Sequence, residues 1–442
     1  MKNYVFAFFT YFILFASVAN VNAQIHISGL DVIEFGAKGD GKFDNTDAFQ
    51  SALNEAGKVG ATVYVPAGQF RFNGVITIPR GVSLVGSKAG PNTIYYDQGT
   101  LLMPLNGRDS EIGPAFLTLN SGSTIRGFGI IYPEQKPDDI RPYPYCVKAT
   151  GRSANIIDVS IANAYNGIDC GSTWNEGVNI KNIYLCALRR GLYIDRQSDI
   201  GRYENIHIHS VAWWDVYYPE KGRKDEDSKA LRTSVNKFTR ENLEGFIIGR
   251  CDWAYMTNCF VIWAKVGFRF IATPDQPDRS GNILITQSGS DDGPLAVLVE
   301  KVQHHAGISF SNCQFMDGVQ INESNAGPVK FTSCGFWWYS AKLNGAHILN
   351  KGDGAVMITT SHFNNNNETL LNPNVPAIDM QSGSLQIMNS RFQEIGETKN
   401  PHIVLGENVN SAVIIGNTVE KGKFRILNHS DAKVQIIGNI ME

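Results

Sequence analysis

Ile156-Ile157-Asp158-Val159, Ile180-Lys181-Asn182-Ile183, Phe310-Ser311-Asn312-Cys313 and Ile387-Met388-Asn389-Ser390 are copies of one short pattern. An apolar residue leads to a small polar one, and an apolar or small residue follows. Phe331-Thr332-Ser333-Cys334, Ile358-Thr359-Thr360-Ser361, Ile415-Gly416-Asn417-Thr418 and Ile437-Gly438-Asn439-Ile440 extend the series. With the polar residue as marker, the steps run 24 residues (158 to 182), 23 (182 to 205), 21 (312 to 333), then 27, 29, 28 and 22. A period of this size, with β-branched strands and Asn or Gly at turns, is the mark of a β-solenoid coil. Variable steps put loops of variable length on a constant core. The fixed leucine spacing of a leucine-rich repeat is absent.

Stacking explains the pattern physically. Each coil leaves its strand edges unpaired until the next one settles on it, about 4.8 Å away. Equivalent residues then form columns along the axis. Asn at a turn column adopts the left-handed conformation and hydrogen-bonds its copies above and below. Asn182, Asn205, Asn258, Asn312 and Asn389 therefore read as structural, and Gln287 as one more marker. Cys259, Cys313 and Cys334 each follow a marker and read as a buried column with Ser361, Ser390 and Thr418. In such a column Cys behaves as a small hydrophobe. The seven cysteines show no CxxC pair and no metal-ligand spacing.

The chain of 442 residues carries a net charge of −3 with both signs interspersed, which argues against a nucleic-acid partner or a charged membrane surface. Glycine is abundant, at 43, and charged residues are scarce, at 18%, as a turn-rich all-β protein with long buried faces requires. Lys2, the apolar run from Tyr4 to Val18 and the small residues of Val21-Asn22-Ala23 read as a cleavable signal peptide over 1–23. Residues 24–442 then form a single β-helix domain of a secreted or periplasmic protein with no membrane anchor. Its cap and first coils fall within 24–100, and a loop insertion within 215–245.

A solenoid must hide its ends. Asn45-Thr46-Asp47-Ala48-Phe49-Gln50-Ser51-Ala52-Leu53 reads as an amphipathic helix N-capped by Asn45, suited to plugging the first coil. Met441-Glu442 follow the last copy directly, which raises the expectation of another subunit covering that end.

The stretch Asp31-Val32-Ile33-Glu34-Phe35-Gly36-Ala37-Lys38-Gly39-Asp40-Gly41, with Asp44-Asn45-Thr46-Asp47-Ala48-Phe49 and Val63-Tyr64-Val65-Pro66-Ala67-Gly68 after it, resembles the opening module of the pectate-lyase-like superfamily. More narrowly, it is similar to the rhamnogalacturonase/epimerase-type β-helix proteins. The resemblance covers roughly 40 residues and implies a right-handed single-stranded parallel β-helix with a short N-terminal capping helix. It also implies a polysaccharide or oligosaccharide substrate. It does not fix the reaction, because members include polysaccharide lyases, glycoside hydrolases, epimerases and phage tailspikes. Polygalacturonase-type hydrolases carry Asp-Asp, then Gly-His-Gly, then Arg-Ile-Lys. Here Asp291-Asp292 and His304-His305 stand without the other two motifs, and Asp291-Asp292 lies in the turn-like run Ser288-Gly289-Ser290-Asp291-Asp292-Gly293-Pro294.

A second strand per coil starts near a glycine: Gly167-Ile168-Asp169-Cys170, Gly191-Leu192-Tyr193-Ile194-Asp195, Asp215-Val216-Tyr217-Tyr218-Pro219, Gly267-Phe268-Arg269-Phe270 and Ala296-Val297-Leu298-Val299-Glu300. Alternation puts Ile168, Leu192, Val216, Phe268 and Val297 inside, and Asp169, Tyr193, Tyr217 and Arg269 outside in one column. Asp195 and Glu300 fall in the next outward column. Carboxylates on neighbouring or next-nearest coils lie about 5 or 10 Å apart, spanning the geometries of glycoside cleavage. Asp169 and Asp195 are the acid–base candidates, with Asp215 supporting. Arg269 and Lys148 are placed to hold an acidic group, and Tyr193, Tyr217, Trp214 and Glu300 to line the cleft. Glycoside hydrolysis leads this reading. The alternatives are β-elimination on a uronic-acid polymer and glycan binding without catalysis.

The step of 53 residues from Asn205 to Asn258 spans about two coils and holds the charged insertion Glu220-Lys221-Gly222-Arg223-Lys224-Asp225-Glu226-Asp227. A long loop on a rigid scaffold is a usual place for a binding site. Trp213, Trp214, Trp253 and Trp263 cluster around it, some as sugar platforms and at least two as core. His207 and His209 flank Ile208 and share a direction, outward. No sequence pattern asks for a metal or a cofactor. Ca²⁺ enters only with a lyase, through oxygen ligands gathered by the fold, since no Asp-x-Asp-x-Asp run is present.

Overall fold

The computed structural model describes residues 29–88, 98–213, 226–337, 345–364, 375–393, 401–420 and 422–441. The signal-peptide reading of 1–23 lies outside them, as do Trp214, Asp215, Val216 and Tyr217. The strands pair coil on coil, every ladder between them parallel, from Gly29–Asp31 on Thr62–Val65 to Ile403–Ile415 under Lys433–Ile437. The architecture is the expected right-handed parallel β-helix. No helix among the described residues is long and apolar enough to cross a membrane.

Strands β1 (Tyr145–Ala149), β2 (Asn155–Cys170), β3 (Asn179–Ile194), β4 (Glu244–Ile248), β5 (Val266–Phe270) and β6 (Leu295–Val299) build the part of the solenoid that matters most below. The inward column Ile168, Leu192, Phe246, Phe268 and Val297 is fully buried and in register. Aromatic rings stack along the axis in the same way, with Phe336 on Phe363 at 4.7 Å and Phe363 on Phe392 at 4.8 Å.

The marker column is left-handed: φ is 56° at Asn182, 54° at Asn205, 54° at Asn258, 50° at Gln287, 54° at Asn312 and 52° at Asn389. Its amides form a ladder. Asn182 donates to Asp158 (2.8 Å), Asn205 to Asn182 (2.9 Å) and Asn258 to Asn205 (3.0 Å). Toward the C-terminal coils the marker shifts by one residue. Gly416 and Gly438, not Asn417 and Asn439, take the left-handed place, both at φ 65°. Asn417 therefore replaces Thr418 in the neighbouring buried column, where its side chain accepts from the Ser390 backbone N–H (3.0 Å). That column otherwise runs as expected. Ser288 accepts from the Cys259 N–H, Ser361 from the Cys334 N–H and Ser390 from the Ser361 N–H. All seven cysteines are buried thiols.

Helix α1 (Thr46–Gly57) plugs the first coil with Ala48, Phe49, Ala52, Leu53 and Ala56. Asn45 does not cap it through its side chain. That amide is fully buried and spans Lys38, Phe43 and Arg71 instead, while Asp44 accepts from the Thr46 N–H (3.1 Å). The acid can serve the helix start because the amide is committed to holding the preceding loop.

The insertion also corrects the register. Asn205 to Asn258 is one coil, since the strand Arg202–Ile208 pairs directly with Ala254–Thr257. The extra length is largely helix α2 (Glu226–Asn242), and Glu244–Ile248 is the described strand that continues the second face, while the expected strand Asp215–Pro219 lies outside the described residues. The outward place expected for Tyr217 belongs to Ile247, which pairs with Tyr193. Val235 of α2 packs with Trp213, Cys186 and Leu188 in a small side core. Trp213 is thus core rather than platform.

Candidate functional site

The second face carries a glycine column at its strand starts: Gly167, Gly191, Gly245 and Gly267. A side chain at Gly167 or Gly191 would strike the carbonyl oxygen of the next glycine along the axis, so the backbones approach as closely as they do only without one. This packing fixes the register of the outward residues on either side of the column. One row runs Tyr145, Asn166, Arg190, Glu244, and the next runs Lys148, Asp169, Tyr193, Ile247, Arg269. Lys148, Asp169, Tyr193 and Arg269 thus share a face, as the alternation implied.

The two carboxylates expected as an acid–base pair are not presented to solvent. Asp169 is 3% exposed and accepts the backbone N–H groups of Gly171 and Ser172, both at 2.8 Å, and the Ser172 hydroxyl. Asp195 is 0% exposed and more heavily committed. Its Oδ1 accepts from the backbone of Arg196 and Arg250 and from the Thr273 hydroxyl, each at 2.7 Å, and its Oδ2 accepts from the Tyr193 hydroxyl at 2.8 Å. Both carboxylates close the corner after the strand. The run Asp169-Cys170-Gly171-Ser172 is Asx-turn chemistry, a signal that was present in the sequence.

What remains available is cationic and phenolic. The Lys148 side chain is 26% exposed, lies 4.0 Å from Asp169, and has no hydrogen bond among the described residues. Burial, then the nearby Asp169 charge, pushes the Tyr145 phenol well above its ordinary range, so it holds its proton. Burial also raises Tyr193, with Asp195 beside it adding to the effect. Arg269 sits between two carboxylates, Glu244 (2.9 Å) and Glu300 (2.8 Å), so the guanidinium expected to hold substrate is already balanced and Glu300 is its partner. Arg190 reaches Glu111 at 2.8 Å, across 79 residues of sequence. Arg189 donates to the carbonyl of Asn242 at the end of α2 (3.1 Å), where helix polarity favours a cation. The insertion therefore abuts this face. Tyr145, Arg190, Glu111 and Glu244 are absent from the sequence-derived set. Arg190 and Glu111 become neighbours only through the fold, while Arg190, one residue before the Gly191 strand start, could have been read outward.

A second polar cluster stands at the corner that precedes β5, β6 and the strand Gly318–Ile321. Trp263 donates to Asp292 (2.7 Å), Arg240 of α2 pairs with the same carboxylate, and Asp317 accepts the Gly293 N–H (2.6 Å). Asp317 is fully buried, and burial raises its carboxyl to about 8. Asp291 is also raised by burial, with Asp292 beside it. His207 and His209 point together as expected, stacked at 5.3 Å, with Tyr184 bonded to His209 (3.0 Å) and burial lowering His207. Trp263 lies over His209 at 5.0 Å, and Trp253 is exposed.

Comparison with known proteins agrees with this geometry at the level of fold. Residues 30–121 match the family described as rhamnogalacturonase A/epimerase, pectate lyase-like. Alginate lyase 7 of Azotobacter vinelandii is 43% identical over 77 residues, 16% of this chain and 9% of that protein. Mannuronan C5-epimerase AlgE3 of the same organism is 40% identical over 77 residues and 4% of its length. The chain thus spans less than a tenth of either relative. Among solved structures, the N-terminal fragment of bacteriophage phi29 gene product 12 superposes with a TM-score of 0.60 at 15% identity, covering 93% of this chain and 70% of that one. The described residues thus share the parallel β-helix fold, and residues 30–121 resemble the rhamnogalacturonase A/epimerase, pectate lyase-like family.

Proposed function

We propose that the chain is an exported enzyme acting on an acidic polysaccharide, cleaving it by β-elimination at the Lys148–Tyr193 face. One observation carries this reading: Lys148 presents a partly exposed ammonium, paired only at 4.0 Å with Asp169, on the face that carries Tyr145 and Tyr193, while the Asp169 and Asp195 carboxylates are taken up by the corner turns. An ammonium paired with a uronate carboxylate draws charge from the adjacent carbon and makes its hydrogen removable. The proton then passes to a solvent water as the C4–C5 double bond forms and the C4–O bond breaks, and Tyr145 gives its phenolic proton to the departing oxygen and is reprotonated from that water. The likeness to alginate lyase 7 over 77 residues supports a uronate polymer. Glycoside hydrolysis through Asp169 and Asp195 loses support, because neither carboxylate reaches solvent.

The test is a product screen on polymannuronate, polyguluronate and polygalacturonate. Ultraviolet absorbance of an unsaturated uronate is expected, and Lys148→Ala should lower its rate by about 100-fold or more. New reducing ends without that absorbance would overturn elimination. They would overturn the assignment of the Lys148 face and leave the reaction to be sought elsewhere on the solenoid.

A further inference from the structure

Far along the same solenoid lies a depression that the chemistry above leaves unused. It measures ≈ 830 Å³ and is lined by Glu323, Lys351, Asp353, Gln381, Glu407 and Asn410, with others. Six coil steps, about 29 Å at 4.8 Å per step, separate Lys148 from Gln320, which lines an adjoining hollow that shares Glu323 and Lys351 with the depression. The volume falls within the range of small-molecule sites.

The depression is built into the corner turns. Side chains at Gly354 or Gly383 would collide with the carbonyl oxygens of Gly327 and Gly354, so these turns stack backbone on backbone beside the depression. Gly383 also has φ 75°, which excludes most residues. Buried asparagines pin this floor from below: Asn350 donates to Gly352 (2.9 Å) and Ser382 (2.7 Å), and Asn325 donates to Gly327 (2.8 Å). Ser382 in turn donates to Asp353 (2.6 Å), orienting one wall. The rim is long and polar, with Glu323 and Glu407 exposed.

Three carboxylates stand against one ammonium in this lining, and arginine is not among the lining residues. A polyuronate would meet net repulsion here, in contrast to the Lys148 face. Carboxylates and side-chain amides are suited instead to pairs of sugar hydroxyls, which need acceptors and donors at close spacing. Equivalent groups recur once per coil, a step comparable to one pyranose unit.

We infer that this groove is a binding site for an uncharged oligosaccharide lying along the solenoid axis. The inference is independent of the elimination reading, because the two faces recognise opposite chemistry. The lining offers hydroxyl contacts without an aromatic platform, so the expected affinity is modest, with Kd of about 1 mM. Saturation-transfer NMR with cellohexaose, mannohexaose and xylohexaose, on the full chain, tests it. At least one should bind, Glu323→Ala and Glu407→Ala should each weaken it several-fold, and Lys148→Ala should leave it unchanged. Asp353→Ala should weaken it further. Should that variant fail to fold, the two exposed glutamates still decide. Absence of binding by all three sugars, or binding lost with Lys148 and untouched by Glu323 and Glu407, would overturn the assignment. So would hexaguluronate binding more tightly than the neutral sugars in a manner sensitive to Glu407.

Discussion

Asp195 shows how a residue of the right type in the right column can do a different task. Four donors converge on its buried carboxylate, so Asp195→Asn turns an amide N–H toward at least one of them. We expect a loss of about 3 kcal/mol in urea unfolding, with remaining activity tracking the folded fraction. Asp317 gives the opposite signature. Its folded carboxyl titrates at about 8 against an ordinary 3.8, so the folded state binds the extra proton and stability falls as pH rises through that window. Thermal melts across the interval should show the decline, and Asp317→Asn should flatten it. Thr360 is a third case, a β-branched residue held at φ 49° in the marker column. Thr360→Gly is expected to raise stability by about 1 kcal/mol, read as a shift in urea midpoint. The outward direction of Asp169 was legible in its strand. Its burial was not, because alternation reports which way a side chain leaves the backbone and says nothing of how a following turn folds back over it.

At the scale of elements, α2 hid one strand from the reading. The insertion broke the repeat, and the alternation of Asp215-Val216-Tyr217 drew the register away from Glu244–Ile248, the strand that pairs with β3 after the helix. The markers were safer guides. Left-handed geometry at a corner selects Asn or Gly for a backbone reason, and only where both occur together, as at Gly416-Asn417, does the assignment slip by one. The helix is fastened by Val235 in the side core and by Arg240 on Asp292. Val235→Lys should therefore raise amide exchange across 226–242 while protection of β2 and β3 stays unchanged. A loss of protection in both would mean that α2 is integral to the coils beneath it.

Across the whole molecule, stability is a sum of neighbouring coil contacts, and the stacked rings concentrate much of it. Phe363 lies between Phe336 and Phe392, so Phe363→Ala removes two stacking contacts and is expected to cost about 3–5 kcal/mol. Calorimetry would show a lowered transition, and an unchanged one would mean that the coils slide to refill the space. The same architecture separates two chemistries on one rod. A cationic, phenolic face near the insertion and an acidic, amide-rich groove further along stand roughly 30 Å apart by coil count.

The placement of α2 carries one more implication. It leaves and rejoins the rod within one turn of chain, while the layers on either side bond straight past it through Arg202–Ile208 and Ala254–Thr257. That makes the site a socket. A foreign segment could be exchanged there, and the surrounding layers would hold its two ends where α2 is held now, so new specificity could be fitted without redesigning the shaft.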